Sequence, residues 1–323
     1  MSTVTPPFTE ITPETIPLET PSVSDGQQGR LADPKRRVFC KPNVIWLGLL
    51  HVGALAAFFP YFFSWQGVIL MLALHWLTGG IGICLGFHRL LTHTSFKTYG
   101  PVRWGIAWLG GLAGEGSALD WVSNHRQHHA CSDLEGDPHS PLDGGWWSHV
   151  FWLAWRHPND EMKAHHQRWA PDLARDKGIR FLDKTFLLWH LLMTAGLFAI
   201  GYFSSGLQMA CSLVVWGMFV RLCFVLHATW FVNSASHMWG YRNYTTTDQS
   251  RNNWWVALIT YGEGWHNNHH AFPRMAAHGH RWWEVDVTYL AIRCLQAAGL
   301  AWDVVDYKRG GEKLENSTQK KSV

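Results

Sequence analysis

The sequence predicts an all-α integral membrane protein with four transmembrane helices in two hairpins and a cytoplasmic helical cap that holds a histidine-rich metal site. Residues 42–87 contain no Asp, Glu, Lys or Arg, and neither do residues 185–220. A bilayer-spanning helix needs about 20 apolar residues, so each stretch is long enough for two spans. Charged residues make up only 16% of the chain, and its 21 tryptophans are a residue type that favours membrane interfaces.

The two apolar stretches divide the chain into one large domain with a tail at each end. Residues 1–38 are rich in Pro, Thr, Ser and Glu, and we expect them to be disordered. The domain covers residues 39–306, with spans at about 44–65, 68–87, 185–204 and 207–232 and a cap formed by 88–184 and 233–306. Residues 307–323 form a Lys-rich end that we expect to be a mobile tail.

The distribution of charge predicts how the spans are oriented in a multi-pass arrangement. The turns near residues 64–67 and 204–206 carry no charge, whereas the flanking segments carry many. Because Lys and Arg concentrate on the cytoplasmic side, we expect both termini and the middle segment to be cytoplasmic. A net charge of +3 is too small to indicate nucleic-acid binding. The sequence contains no GxGxxG or Walker A motif, so it does not predict a nucleotide cofactor.

Three segments of the predicted cap have distinct patterns. Residues 102–118 are apolar but short and Gly-rich, which suits a re-entrant or interfacial element better than a span. Residues 158–184 are charged, and we expect His165 and His166 to lie on their surface. Residues 284–305 predict an amphipathic helix. Its expected apolar face consists of Val287, Leu290, Ala291, Cys294, Leu295 and Ala298.

Eight histidines lie in three short motifs at or beyond the ends of the predicted spans. They are His88 and His93 in HRLLTH, His125, His128 and His129 in HRQHH, and His266, His269 and His270 in HNNHH. Residues three and four apart share one face of a helix, so the last two motifs each present a face of imidazoles. Imidazole suits zinc, copper, iron and nickel, and the motifs therefore predict a metal site.

Eight imidazoles exceed what one ion accepts and fit two metals. Adjacent histidines such as His128 and His129 diverge by about 100° on a helix and could each take a different metal. His88 and His93 diverge by about 140°, so either they serve two metals or His93 lies just past the helix end. Carboxylates near the second motif are candidates to orient the imidazoles, although an ordinary loop acid is the favoured alternative for each one taken singly. These are Asp120, Asp133, Glu135 and Asp137.

The three motifs, in this order around two hydrophobic hairpins, resemble those of the membrane fatty acid desaturases. GFHRLLTH at 86–93, NSASHMWG at 233–240 and the segment 262–273 are similar to the delta-9 group, which includes stearoyl-CoA and cyanobacterial-type acyl-lipid delta-9 desaturases. WWEVD at 282–286 favours the bacterial branch. The resemblance covers about residues 40–306, and the combined motifs are far more specific than any one of them.

The resemblance implies O2-dependent desaturation of a saturated long-chain acyl group at two ferrous irons, with a cis double bond introduced at delta-9. It implies that His237 joins the eight histidines as a ninth ligand and that Asn233 reaches one iron through water. No haem or flavin motif is present, so electrons would come from an external donor of the ferredoxin or cytochrome b5 type.

The resemblance also implies a tunnel that grips a bent acyl chain beside the metals. Thr229, Trp230 and Trp121 match its wall, and Glu115 stands where relatives commonly carry Gln. The acyl carrier stays open between CoA and a glycerolipid. Basic residues that could serve either head group are Arg103, Arg126 and Arg156. We expect the methyl end of the chain to meet small residues of the first two spans, although packing of the second span is the alternative for its glycines. Those glycines are Gly79, Gly80, Gly82 and Gly86.

Two other functions fit parts of this pattern. A related di-iron histidine-motif lipid or alkane hydroxylase would share the metals and yield an alcohol instead of a double bond. A metal transporter would hold its ion near the bilayer midplane, but His51, His75 and His190 in the predicted spans are isolated. Arg221 is the only charge inside a predicted span, and we expect it to pair with a buried ion or to snorkel.

Overall fold

The computed structural model describes residues 37–306, which are mostly helical. The predicted tails lie outside the described residues, apart from residues 37 and 38. Within the described part of the chain, four helices are long and apolar enough to cross a membrane. They are span 1 (Lys41–Phe58), span 2 (Trp65–Thr92), span 3 (Phe186–Ser205) and span 4 (Leu207–Met238). Spans 2 and 4 run past their predicted ends, and both extensions carry site residues.

Spans 1 and 2 differ in how they are wound. Span 1 consists of α1 (Lys41–Ala54) and a 3-10 turn (Leu55–Phe58), and a second 3-10 turn (Pro60–Phe62) follows it. Span 2 begins as α2 (Trp65–His75), where the Ser64 side chain accepts a hydrogen bond from the Gly67 amide. It continues as a 17-residue π-helix, Trp76–Thr92, in which hydrogen bonds join residues five apart.

Spans 3 and 4 follow one another directly. Span 3 is α9 (Phe186–Ser205), and span 4 combines α10 (Leu207–Val214), a π-helical turn (Val215–Val220), α11 (Arg221–Asn233) and α12 (Ala235–Met238). The two spans meet at Gly206, whose φ of +81° is a conformation that glycine adopts without strain. Close to this turn the two helices pack tightly. An added Cβ on Gly201 would lie only 2.5 Å from the backbone of Ala210.

The remaining elements are short. The helices are α3 (Gly100–Gly111), α4 (Ala118–Cys131), α5 (Gly145–His149), α6 (Asn159–Trp169), α7 (Pro171–Arg175), α8 (Lys177–Lys184), α13 (Trp254–Ile259), α14 (His266–Ala271) and α15 (Val287–Ala297), with 3-10 turns at Pro141–Asp143 and Phe151–Ala154. The strands are β1 (Val38–Phe39), β2 (Lys97–Thr98), β3 (Trp155–Arg156) and β4 (Ala301–Trp302). β1 pairs antiparallel with β3, and β2 pairs antiparallel with β4.

The glycines of span 2 serve helix packing. An added Cβ on Gly82 would collide with the backbone of Gly110 in α3, and one on Gly86 would lie 2.6 Å from the Ile106 side chain. Small residues let helices approach closely in this way. α3 therefore packs directly on span 2, and the core beside this contact includes Phe87, Leu90 and Leu119.

Arg221 lies fully buried in span 4. Its guanidinium donates hydrogen bonds to the Gly217 carbonyl (2.7 Å), to Thr78 Oγ1 (2.8 Å) and to the Leu112 carbonyl (2.9 Å). It neither snorkels nor pairs with a carboxylate of the described residues, so both sequence-based expectations are wrong. The side chain instead ties span 4 to span 2 and to the end of α3.

Two expectations about the cap are corrected. His165 is buried because α6 packs against α4, so only His166 of the pair is partly accessible. In α15, the buried positions are Thr288 and Ile292, whereas most of the predicted apolar face is exposed. The helix starts at its Asp286 cap, whose side chain points into the core, and this sets which positions turn inward.

Candidate metal centre

The structure brings all nine predicted histidines together in two groups, within each of which the ligand nitrogens lie within 4.8 Å of one another. The five-histidine group consists of His88, His93, His125, His129 and His269. The four-histidine group consists of His128, His237, His266 and His270. The adjacent pairs divide between the groups as their 100° divergence suggests, since His128 and His129 separate, as do His269 and His270.

The π-helix explains why His88 and His93 belong to one group. The His93 amide donates to the His88 carbonyl over 3.1 Å, which is the hydrogen bond of a π-helical turn. This winding places residues five apart above one another, where an α-helix would spread them. His93 also lies one residue past the helix end at Thr92, so the second of the two sequence-based alternatives is the observed one.

The imidazole nitrogens of each group converge on one another. The Nε2 atoms of His88 and His129 lie 3.1 and 2.9 Å from His269 Nε2, and those of His237 and His266 lie 3.1 Å apart. Among the described residues, the buried Nε2 atoms of His93 and His270 have no hydrogen-bond partner. Burial lowers the pKa of six of the histidines, which favours the neutral form that metal ligands need. These are His93, His125, His129, His266, His269 and His270. The pKa of His128 is raised instead, because the Asp137 carboxylate outweighs the effect of burial. Each group therefore fits a transition metal.

Four carboxylates accept hydrogen bonds from these histidines. Asp137 binds His128 Nδ1 (3.0 Å) and Asp133 binds His237 Nδ1 (3.2 Å), which confirms two of the predicted acids. Glu263 binds His88 Nδ1 (2.6 Å) and Asp248 binds His270 Nδ1 (2.6 Å), and the sequence analysis missed both. Carboxylate partners fix the orientation of ligating imidazoles and raise their basicity.

Asp120 does not accept a hydrogen bond from a histidine of either group. It accepts a hydrogen bond from His166 over 2.8 Å. Glu263 could have been noticed, because it stands three residues before His266 in the third motif. Asp248 lies 22 residues before its partner in a loop and gave no signal.

Glu263 is held by a buried network. The Arg89 guanidinium donates to Glu263 Oε1 over 2.9 and 3.1 Å and to Asp286 Oδ2 over 2.9 Å, while His278 Nδ1 lies 3.0 Å from Glu263 Oε2. Burial alone would raise the pKa of Glu263. Arg89, His278 and His88 more than offset that, so its pKa lies well below the usual value.

A cavity of about 660 Å³ lies between spans 1 and 4 and reaches the histidines. Its lining includes His125 and all five residues that the family resemblance implied for the tunnel wall or for a water-mediated ligand. Those residues are Glu115, Trp121, Thr229, Trp230 and Asn233. Trp121 also stacks on the His125 ring, with the centroids 4.8 Å apart, so the cavity wall and the metal site share a contact.

Glu115 connects two sides of this cavity. Its Oε1 accepts a hydrogen bond from Thr229 Oγ1 (2.7 Å), and its Oε2 accepts one from Trp121 Nε1 (2.8 Å). Burial raises the pKa of Glu115 to about 7, although the two hydrogen bonds oppose this. The side chain is therefore close to half protonated at neutral pH.

The lining corrects two expectations. Of the three predicted arginines only Arg156 lines the cavity, where Arg37 joins it, because Arg126 pairs with Asp172 and Arg103 pairs with Asp176. No described residue of span 2 lines this cavity, so the glycines of span 2 do not contribute to its wall. Span 1 supplies that wall instead, through Ile45, Leu47 and Leu49.

The site thus combines apolar helices long enough to cross a membrane, histidine groups able to hold metal, and a cavity whose lining includes one of those histidines. A family model described as "Fatty acid desaturase" matches residues 63–286. The chain belongs to the fatty acid desaturase family and is an oxidoreductase of the membrane, as its motifs predict.

Similar proteins match most of the chain. A Nostoc sp. (strain 36) protein named sn-2 palmitoyl-lipid 9-desaturase is 46% identical over 81% of this chain and 89% of its own length. An Anabaena variabilis protein named sn-1 stearoyl-lipid 9-desaturase is 45% identical over 82% and 95%. A Limnanthes douglasii protein named icosanoyl-CoA 5-desaturase is 44% identical over 81% and 71%. The names show that such relatives differ both in the group that carries the acyl chain, lipid or CoA, and in the position of the double bond.

Proposed function

We propose that the protein is an O2-dependent desaturase that introduces a cis double bond at delta-9 into a saturated long-chain acyl group carried by a glycerolipid. The cavity carries this proposal, because its lining combines Arg37 and Arg156 with Glu115 and His125. The two basic residues suit an anionic or polar head group, and the apolar side chains of the lining suit an acyl chain. The cyanobacterial relatives named as lipid 9-desaturases support the choice of carrier and position.

Each histidine group would hold one iron, and Asn233, which lines the cavity, would reach the four-histidine position through water. Two bound ferrous irons would supply the oxidation of two adjacent methylenes at the expense of O2. In the balanced reaction, CH2–CH2, O2, two electrons and two protons give CH=CH and two waters. The electrons would come from an external donor of the ferredoxin or cytochrome b5 type.

The residues of the chain would do the positioning. Glu115 binds both Trp121 and Thr229, which line the cavity, so the acyl chain would lie against side chains that are fixed relative to one another. Holding the reacting carbons in one geometry is a large part of the rate enhancement for such a reaction. Asp133 and Glu263 would keep their imidazoles in the orientation that ligation needs.

We also propose the membrane orientation that charge predicts, with two hairpins, both termini and a cytoplasmic cap on one side. The test places a cysteine at Ser205, which is exposed at the end of α9. In intact cells, Ser205→Cys should react with an impermeant thiol reagent. The native Cys294, exposed on α15, should react only after lysis and serves as the internal control. The reverse pattern would mean that the orientation is wrong.

Defined substrates test the reaction itself. The purified, reduced protein is supplied with O2 and with stearoyl glycerolipid or stearoyl-CoA, and mass spectrometry locates any double bond. We expect delta-9 product from the glycerolipid and two irons per chain. His269→Ala should abolish formation of the delta-9 product. His166→Ala should not, because His166 lies outside both histidine groups. An alcohol product would indicate the related hydroxylase, and product only from the CoA ester would refute the carrier.

A further inference from the structure

The two histidine groups differ in the carboxylates that contact them. In the four-histidine group, His128, His237 and His270 each donate to an aspartate of their own. In the five-histidine group only His88 contacts a carboxylate in the described part of the chain, and that carboxylate is Glu263. The group with fewer imidazoles therefore has three times as many carboxylate partners.

The charge of Glu263 is largely compensated. Arg89, which is fully buried, binds both Glu263 and Asp286, so three charged side chains next to the five-histidine group leave one net negative charge. A guanidinium that donates two hydrogen bonds to the same oxygen also draws electron density away from the His88 contact.

The three aspartates of the four-histidine group are held by neutral donors. Asp133 accepts from the Gln249 amide (2.7 Å), Asp137 accepts from the His139 amide (3.1 Å), and Asp248 accepts from the Ser250 amide (3.0 Å). Amide donors stabilise the carboxylates without cancelling their charge.

No cation of the described residues forms an ion pair with these aspartates, apart from their histidine partners. Arg37 is the charged side chain that acts on Asp137 from the surroundings, and its guanidinium binds the Pro138 carbonyl instead. His139 Nδ1 lies 3.8 Å from Asp137 Oδ1, which is beyond hydrogen-bond distance. Three carboxylates that no Lys or Arg of the described residues pairs with thus face this metal position, against one net negative charge at the other.

We propose that the two metal positions are inequivalent, and that Asp133, Asp137 and Asp248 are positioning residues that stabilise the higher oxidation state in the four-histidine group. This rests on the proposed di-iron function. An imidazole that donates to a carboxylate is a stronger ligand, and nearby negative charge favours a trivalent over a divalent ion. The four-histidine iron therefore has the lower reduction potential and is oxidised first.

This order suits the position of the substrate. Of the nine histidines only His125 lines the cavity, and it belongs to the five-histidine group. Iron held by the five-histidine group, which shares His125 with the cavity lining, would then be the stronger oxidant. Iron held by the four-histidine group would give up its electron more readily.

A potentiometric titration of the iron-loaded protein, followed by Mössbauer spectroscopy, tests the proposal. The wild type should show two separate potentials. Asp248→Asn should raise only the lower one, and Glu263→Gln should raise only the upper one. A tenfold change in the relative affinity for the two oxidation states corresponds to about 59 mV for one electron.

Asp120→Asn is the matched control. Asp120 makes a carboxylate–imidazole contact of the same kind with His166 over 2.8 Å, from α4, but His166 lies outside both groups. This variant should leave both potentials unchanged. If it moves one of them, the effect is a general consequence of removing charge and the proposal fails.

The remaining outcomes are also decisive. Two irons with the same wild-type potential, or an Asp248→Asn shift confined to the upper potential, would overturn the proposal. If Asp248→Asn loses one iron, the retained iron must titrate at the upper wild-type potential, and Asp133→Asn repeats the measurement on a longer contact. Wild-type protein that binds fewer than two irons would instead contradict the proposed function.

Discussion

Spans 2 and 4 differ from spans 1 and 3 in more than position. The most apolar stretches of spans 2 and 4 are 44% and 61% buried, against 6% and 17% for spans 1 and 3. Both buried spans contain π-helical segments, Trp76–Thr92 and Val215–Val220, and both contain a fully buried arginine. In the two exposed spans the winding is α-helical, with a 3-10 end in span 1.

The difference shows two distinct requirements on a membrane helix. An exposed span needs length and apolar side chains, because lipid makes no specific demand on its surface. A span that delivers ligands must also bring defined side chains to one point, and π-helical turns recur at such functional positions. The π-helix does this by bringing the rings of His88 and His93 into edge-to-face contact, with centroids 4.9 Å apart. Arg89, the residue after His88, binds Glu263.

We expect the largest effect on iron content and turnover when a histidine of a buried span is removed, compared with removal of a histidine of an exposed span. His88→Ala removes a nitrogen of the five-histidine group, and we expect iron loss and at least about a 100-fold fall in turnover, since even carboxylate partners of ligands contribute about 10–100-fold. His190→Ala removes a buried histidine of span 3 that binds the Phe186 carbonyl and should retain two irons. Metal analysis compares the two variants. Equal iron loss would remove the distinction between the spans.

Sequence patterns predicted what depends on composition and fixed spacing. The four spans follow from uninterrupted apolar runs, and the division of His128 and His129 between groups follows from helical geometry alone. Glu115 and Trp121 were found only through the resemblance to a family, because no local pattern marks a cavity wall.

The missed features depend on tertiary contacts. The π-helix has no hydrophobic period of its own in the sequence, so it could not be distinguished from an apolar α-helix. Asp248 reaches His270 from a loop, and Arg89 finds Glu263 174 residues away. His165 looked like a surface residue because its neighbours are charged, yet the packing of α6 on α4 buries it.

The buried arginine of span 4 offers a second test of the comparison. Arg221→Met leaves the Leu112 carbonyl and Thr78 without their buried donor, which costs about 1–3 kcal/mol in the free energy of unfolding. We expect a fall of several degrees in Tm in detergent. Arg168→Met, an exposed arginine over Trp169, should change stability by less than about 0.5 kcal/mol. A higher Tm for Arg221→Met would mean that desolvation of the cation outweighs its hydrogen bonds.

The cavity between spans 1 and 4 should respond to pH through Glu115. Its pKa of about 7 lies above the ordinary value of 4.5, because burial favours the neutral acid. Folding therefore binds this proton, and its contribution to stability is lost as pH rises from about 4.5 through about 7. Above pH 7 a carboxylate faces the acyl chain, so the KM for acyl substrate should rise.

Glu115→Gln resembles the neutral acid and should remove this rise in KM. Its amide oxygen can accept from Trp121, and its amide nitrogen can donate to Thr229 Oγ1. Asp120→Asn changes another acid that lines the cavity and should keep the wild-type pH profile. Parallel KM profiles for wild type and Glu115→Gln would assign the pH dependence to a different group.

The smallest expected effect concerns the preferred length of the acyl chain. Here the roles of the two kinds of span are reversed, because the exposed span 1 lines the cavity and the buried span 2 does not. Leu49 lines the cavity about 12 Å along span 1 from Lys41. Leu49→Trp should shift preference towards shorter acyl chains by about tenfold, the lower end of what one methylene gives in an apolar pocket.

The double bond should stay at the same distance from the carboxyl end, because the variant leaves Glu115, Trp121 and Thr229 untouched, and we propose that these residues fix the bend of the acyl chain. Leu72→Trp, on the exposed surface of span 2, is the matched control and should leave the product profile unchanged. Mass spectrometry of products from mixed acyl chains measures both variants. If Leu72→Trp shortens the products and Leu49→Trp does not, span 2 forms the end of the tunnel, and the assignment of its glycines to helix packing is wrong.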